Sequence, residues 1–197
     1  MAPFFLRRLL DLPSSDDIAP AKPWNFAFAI LVGLTMDASF VLELFSSNSA
    51  IGWVRFAVAL GFLAMTLPLR GSNILITALR MSLASLAAGL GLMALLPAYC
   101  IPAMHVLFIG GSTVGVFSVG TRVVLGHSGN LHLLRARPCF FLVTLLLLIL
   151  AMISRFMAAF VVTRNEHLMG AAIAWLAAAA LWSVFVLPHV ARSDPDR

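Results

Sequence analysis

Charge is scarce in this chain. Asp, Glu, Lys and Arg make up 11% of its 197 residues, against roughly 25% in a soluble globular domain. With 61% hydrophobic residues and a mean hydropathy of +1.01, that shortage excludes a soluble domain and leaves a membrane protein. Cysteine is nearly absent. Cys100 and Cys139 are the two present, and no CxxC or CxxCH occurs, so neither a thiol redox pair nor a covalently attached haem is expected. The expected topology puts the two on opposite membrane faces, too far apart for a disulfide. Walker loops, GxGxxG, HExxH and the nucleophile elbow are missing, which removes the common soluble-enzyme chemistries and leaves the question of enzyme activity open. The net charge of +5 comes without a basic patch interleaved with aromatics, so nucleic acid is not an expected partner. A cleavable leader is not expected either. The apolar run at residues 4–10 is broken by Asp11, Pro13, Asp16 and Asp17, and no small-residue cleavage site comes after it.

What the chain has is long apolar segments. Six of them, at residues 24–45, 51–69, 73–96, 101–125, 138–162 and 167–190, approach the about 20 helical residues that span a bilayer core. The expected fold is all-α: a polytopic membrane bundle of six transmembrane helices at 23–190, a cytoplasmic foot at 1–22 and a cytoplasmic tail at 191–197. Connections are short, so sequential helices should be antiparallel neighbours, and no strand alternation suggests a barrel. Arg7, Arg8, Lys22, Arg70, Arg122, Arg135, Arg137, Arg192 and Arg197 fall on one side. Arg164 falls on the other, with Arg55 and Arg155 nearby but inside segments. The excess of basic residues marks the cytoplasmic side, so both termini are expected there.

Ionisable groups within the segments cost roughly 2.5–3.5 kcal/mol each on insertion scales and usually face a partner or a cavity. Arg55 sits near a segment end and is expected to snorkel. Asp37, Arg80 and Arg155 lie deeper, and read either as interhelical ion pairs or as parts of a cofactor site or pathway. Trp24 and Trp53 are expected at the interface, and Trp175 and Trp182 in packing within the last helix.

The most informative stretch is residues 105–130, HVLFIGGSTVGVFSVGTRVVLGHSGN. At about 100° per residue Gly111, Gly115, Ser118 and Arg122 share one side of a helix, with His105 well round from it. A glycine-lined stripe lets another helix, or a flat cofactor, approach the backbone closely. His105 and His127 are 22 positions apart, roughly 33 Å along a helix, so they cannot share one metal or haem. A bis-histidine site would have to pair His105 with His167, at the same depth. Imidazole is the usual protein ligand of b-type haem and of copper, and Arg55 or Arg155 could meet haem propionates bidentately. A copper site could instead draw on Cys100, Met104 and His105. His127 precedes Ser128-Gly129-Asn130 and either caps its helix or belongs to a second site; His132 and His189 lie among loop residues and are expected to face headgroups.

The run His105, Gly110-Gly111, Gly115, Val119, Thr121-Arg122 and Leu125-Gly126-His127-Ser128-Gly129, with Ser154-Arg155-Phe156 and the helix around Trp182, resembles the NnrS family. These are multi-spanning bacterial membrane proteins with haem and copper, linked to nitric oxide metabolism. The resemblance covers residues 75–190 and is strongest in the LGHSG signature. It departs at Leu79-Arg80, where the family tends to have Leu-His, and at Asn130, where it has Arg. Family members are about twice this length, so the chain looks like their C-terminal half. By position His105, Arg122 and His127 carry over. The resemblance implies a multi-pass protein of the bacterial inner membrane, with haem b or, less strongly, copper, acting in electron transfer or nitric oxide handling. Two other functions stand beside it: a non-catalytic accessory subunit of a larger respiratory or denitrification complex, and a half-size transporter working as a dimer, resting on Asp37 and Arg80. Self-association or a larger membrane complex is expected in each case, within the lipid bilayer.

Overall fold

Two helices at the N-terminal side and four beyond them carry the apolar segments. The computed structural model describes residues 23–46, 50–66, 73–130, 133–134 and 138–190. The expected foot and tail, with Arg70, His132, Arg135 and Arg137, lie outside the described residues. All regular structure among the described residues is helical. The helices are α1 (Pro23–Phe45), α2 (Ala50–Thr66), α3 (Ile74–Leu95), α4 (Pro97–His127), α5 (Pro138–Met157) and α6 (Arg164–Val186), the last extended by a 3-10 turn at Leu187–His189. Five are long and apolar enough to cross a membrane. The sixth, α2, has 17 described residues, about 26 Å at 1.5 Å per residue.

The chain divides into two compact units, residues 1–71 and 72–197. In the first, α1 and α2 form a hairpin fastened by Arg55. Its Nε donates to Ser39 Oγ at 2.9 Å and its Nη2 to Ser39 O at 3.3 Å and Glu43 Oε2 at 2.6 Å. Phe40 lies under the guanidinium, 3.7 Å from ring centroid to Cζ. Arg55 is 2% exposed, so it does not snorkel. The hairpin supplies a carboxylate, a hydroxyl, a carbonyl and an aromatic face, which together replace water around a charge that would otherwise be costly in the bilayer. Asp37, on the same helix as Glu43, is exposed.

The second unit packs α3 to α6. Asn73 caps α3, its Oδ1 accepting from Ile76 N–H at 2.9 Å, the usual remedy for an orphan donor at a helix start. Pro97 comes just after the end of α3 and opens α4 with a single 3-10 turn. Helix α4 is not uniform. Cys100–His105 is α-helical, Val106–Thr113 is a π-helix, and Val114–His127 is α-helical again. Glycines let α3 and α4 meet at close range. A Cβ on Gly89 would lie 2.7 Å from Leu107 Cβ, one on Gly111 2.6 Å from Leu86 Cγ, and one on Gly115 2.8 Å from Ser82 Oγ. The glycine stripe is therefore filled by a neighbouring helix, the first of the two uses its spacing allowed.

Leu75, Ala78, Val114, Phe140, Phe141, Leu145, Leu148, Ala178 and Val186 form the core of this unit, drawn from all four helices. Phe140 stacks on Phe185 with centroids 4.8 Å apart, and Phe117 on Trp182 at 4.9 Å. Trp182 Nε1 donates to Thr121 Oγ1 at 2.8 Å, and Thr121 in turn donates to Phe117 O at 2.6 Å, so the indole buries its body without orphaning its N–H.

Candidate functional site

Both ends of α4 carry a histidine, and the local sequence decides what each can do. At one end Leu125-Gly126-His127-Ser128-Gly129-Asn130 stops the helix. Gly129 takes φ 69°, a left-handed conformation that glycine enters without a Cβ clash. Asn130 N–H then reaches Leu125 O at 2.8 Å and Gly129 N–H reaches Gly126 O at 3.4 Å, the two bonds of a Schellman cap. Asn130 Nδ2 donates to Ser128 O at 2.8 Å. Backbone and Gly129 make the cap, and the His127 side chain stays exposed.

At the other end Pro97-Ala98-Tyr99 opens α4 with a 3-10 turn ahead of the α-helical Cys100–His105, and α5 and α6 turn back over residues 158–163. Between these elements lies a cavity of about 500 Å³ lined by His105, Arg155, Arg164, Tyr99, Cys100 and Pro102, among others. The size suits a small-molecule or cofactor site. His105 is half-buried, and its Nδ1 lies 2.7 Å from Ile101 O. A carbonyl oxygen only accepts, so Nδ1 carries the proton, and in the neutral ring Nε2 is left as the nitrogen with a lone pair. This is the arrangement in which a backbone carbonyl fixes the tautomer of a metal-binding imidazole. Arg155 lies near the end of α5 and Arg164 begins α6, so consecutive helices each contribute an arginine to the cavity lining.

The other candidate residues lie elsewhere. His167 is half-buried and is engaged by Ser154, whose Oγ donates to His167 O at 2.8 Å and sits 3.3 Å from His167 Nδ1. It joins α5 to α6 and is not among the residues lining the cavity, although Arg164 and Leu168 on either side of it are. Arg122 is half-buried in the opposite half of α4, and Arg55 is taken up inside the α1–α2 hairpin. Met104 does not line the cavity. Among the described residues no group of three or more His, Cys, Asp and Glu side chains is placed to hold a metal ion. Sequence reasoning passed over Tyr99 and Arg164 as site residues. The signal available for Arg164 was its place at a helix start directly across a short connection from Arg155.

The cavity is lined by one imidazole and two arginines, whereas a bare metal ion usually takes three or more protein ligands. One family model, described as NnrS protein, matches residues 1–193, nearly the whole chain and more than the expected 75–190. Among curated proteins and solved structures nothing matches.

Proposed function

This chain belongs to the NnrS family, a family of nitric oxide-related membrane proteins, and on that premise we propose that the His105 cavity is a b-type haem site with one protein imidazole as ligand. The observation that supports it most is the His105–Ile101 hydrogen bond inside a cavity that also receives Arg155 and Arg164. His105 would bind through Nε2, and the Nδ1–H bond to Ile101 O makes it a better donor by pulling on the opposite side of the ring. Arg155 and Arg164 would meet the propionates by charge-assisted hydrogen bonds. A haem held there by His105 would supply one-electron redox chemistry and binding of a diatomic gas. The Tyr99 and Phe160 rings lie 4.8 Å apart at the same end, and Tyr99 lines the cavity. By the distribution of basic residues this end faces outward from the cytoplasmic membrane of a bacterium.

The copper reading draws less support, because Met104 does not line the cavity that Cys100 and His105 share. Haemin titration of the detergent-purified protein tests the proposal. Saturable, stoichiometric binding with a Soret shift is expected, and a combined Arg155→Gln and Arg164→Gln variant should bind several-fold more weakly while keeping the same band position. If the protein takes up no haem, and metal analysis finds no copper, the accessory-subunit reading replaces this one. Co-purification with a larger membrane complex would then be its sign.

A further inference from the structure

Helix α4 changes its winding at the residue after His105. The π segment Val106–Thr113, VLFIGGST, contains two consecutive glycines, both buried, and then Ser112 and Thr113. Two hydroxyls serve carbonyls of the wide turns: Thr113 Oγ1 donates to Phe108 O, five residues back, at 3.1 Å, and Ser82 Oγ of α3 donates to Gly111 O at 2.7 Å. The glycines on either side of the contact hold the segment against α3, with Gly89 opposite the Leu107 backbone and Gly110 opposite Ser85.

An i→i+5 ladder closes each turn with about one residue more than an α-helix. The segment thus takes up an extra residue, so the part before it sits one position, about 100°, away from where an unbroken α-helix would place it. His105 moves with the N-terminal part, since its Nδ1 is bonded to Ile101 O, one α-turn back. We infer that the π segment aims His105 into the cavity, with Ser82 and Gly111 as positioning residues that hold its wide turns. Rewound as an unbroken α-helix, the chain would bring Val106, which does not line the cavity, to the place of His105. Packing on the far side of the segment does not need the rotation, because Val114, Ser118, Thr121 and Leu125 keep ordinary α spacing against the core. The wide turns therefore serve the residue before them. This inference concerns the direction of one side chain and holds whether or not the cavity takes haem.

Thiol labelling tests it directly. In a Cys100→Ser, Cys139→Ser background, His105→Cys and Val106→Cys are each reacted with a small water-soluble maleimide in detergent, and the ratio of their rates is read. In the otherwise native chain His105→Cys should react several-fold faster. A combined Ser82→Ala, Thr113→Val change, which strips both hydroxyls from the wide turns, should invert the ratio, so that the thiol at 106 reacts faster. If the ratio is unchanged by it, the inference is wrong. Should that variant fail to accumulate, Ser82→Ala alone decides. A ratio lowered by Ser82→Ala and restored by Ser82→Thr supports the positioning role, and a ratio indifferent to Ser82→Ala overturns it. Haemin binding, measured on the native chain, separately decides the proposal about the cavity.

Discussion

The two ends of α4 use their histidines in opposite ways. At the Ser128-Gly129-Asn130 end the chain satisfies the last carbonyls with its own backbone, and His127 is left exposed. At the Pro97 end the helix begins with a 3-10 turn, a cavity opens, and His105 is oriented by Ile101 O. The more conspicuous sequence feature, LGHSG, thus does the structural work of stopping a helix. The less conspicuous histidine, His105, is the one that lines a cavity and has its Nδ1 held by a backbone carbonyl. A histidine's usefulness is set by what its second nitrogen is given to hold, and by whether a cavity lies beside the first.

That contrast can be broken at several points. The largest effect on the fold is expected at Gly89→Val. Its Cβ would meet Leu107 backbone nitrogen at 2.8 Å, a neighbour that cannot rotate away, so the cost should reach or exceed the roughly 1–3 kcal/mol of ordinary overpacking. Thermal unfolding of the detergent-purified protein measures it. Next comes the cap: Gly129→Ala places a Cβ in a left-handed backbone and should lower stability by roughly 1–2 kcal/mol, whereas Gly126→Ala, where an added Cβ meets nothing within 4 Å, should be tolerated. Trp182→Phe keeps the stacking on Phe117 but removes the donor to Thr121 Oγ1, and a loss of about 1 kcal/mol is expected. Smallest is His127→Ala. With the cap made by the backbone, its melting temperature should match the parent, within the roughly 0.5 kcal/mol of a neutral surface change.

Much of the architecture was legible beforehand because apolar length is a direct record of the bilayer. Six segments became six helices, and the glycine stripe became a helix–helix seam. Arg55 was misread because snorkelling assumes that the nearest polar partner is water or a headgroup. Ser39 and Glu43, on the preceding helix, only become neighbours once the hairpin closes. The site was half legible. His105 and Arg155 could be placed at one depth by counting residues, but counting assumes a constant 100° per residue, and the π segment violates that inside α4. The fate of His167 was illegible for a related reason: its bond to Ser154 depends on how α5 and α6 meet, not on depth.

If the working histidine is the one with its Nδ1 tied down beside the cavity, a single comparison should show it. A reduced-minus-oxidised visible spectrum of the purified chain is set against those of His105→Ala, His167→Ala and His127→Ala. A b-type signal should disappear in His105→Ala and survive in the other two. A signal that survives in His105→Ala, or that is lost in His127→Ala while His105→Ala retains it, would assign the working role to a different histidine.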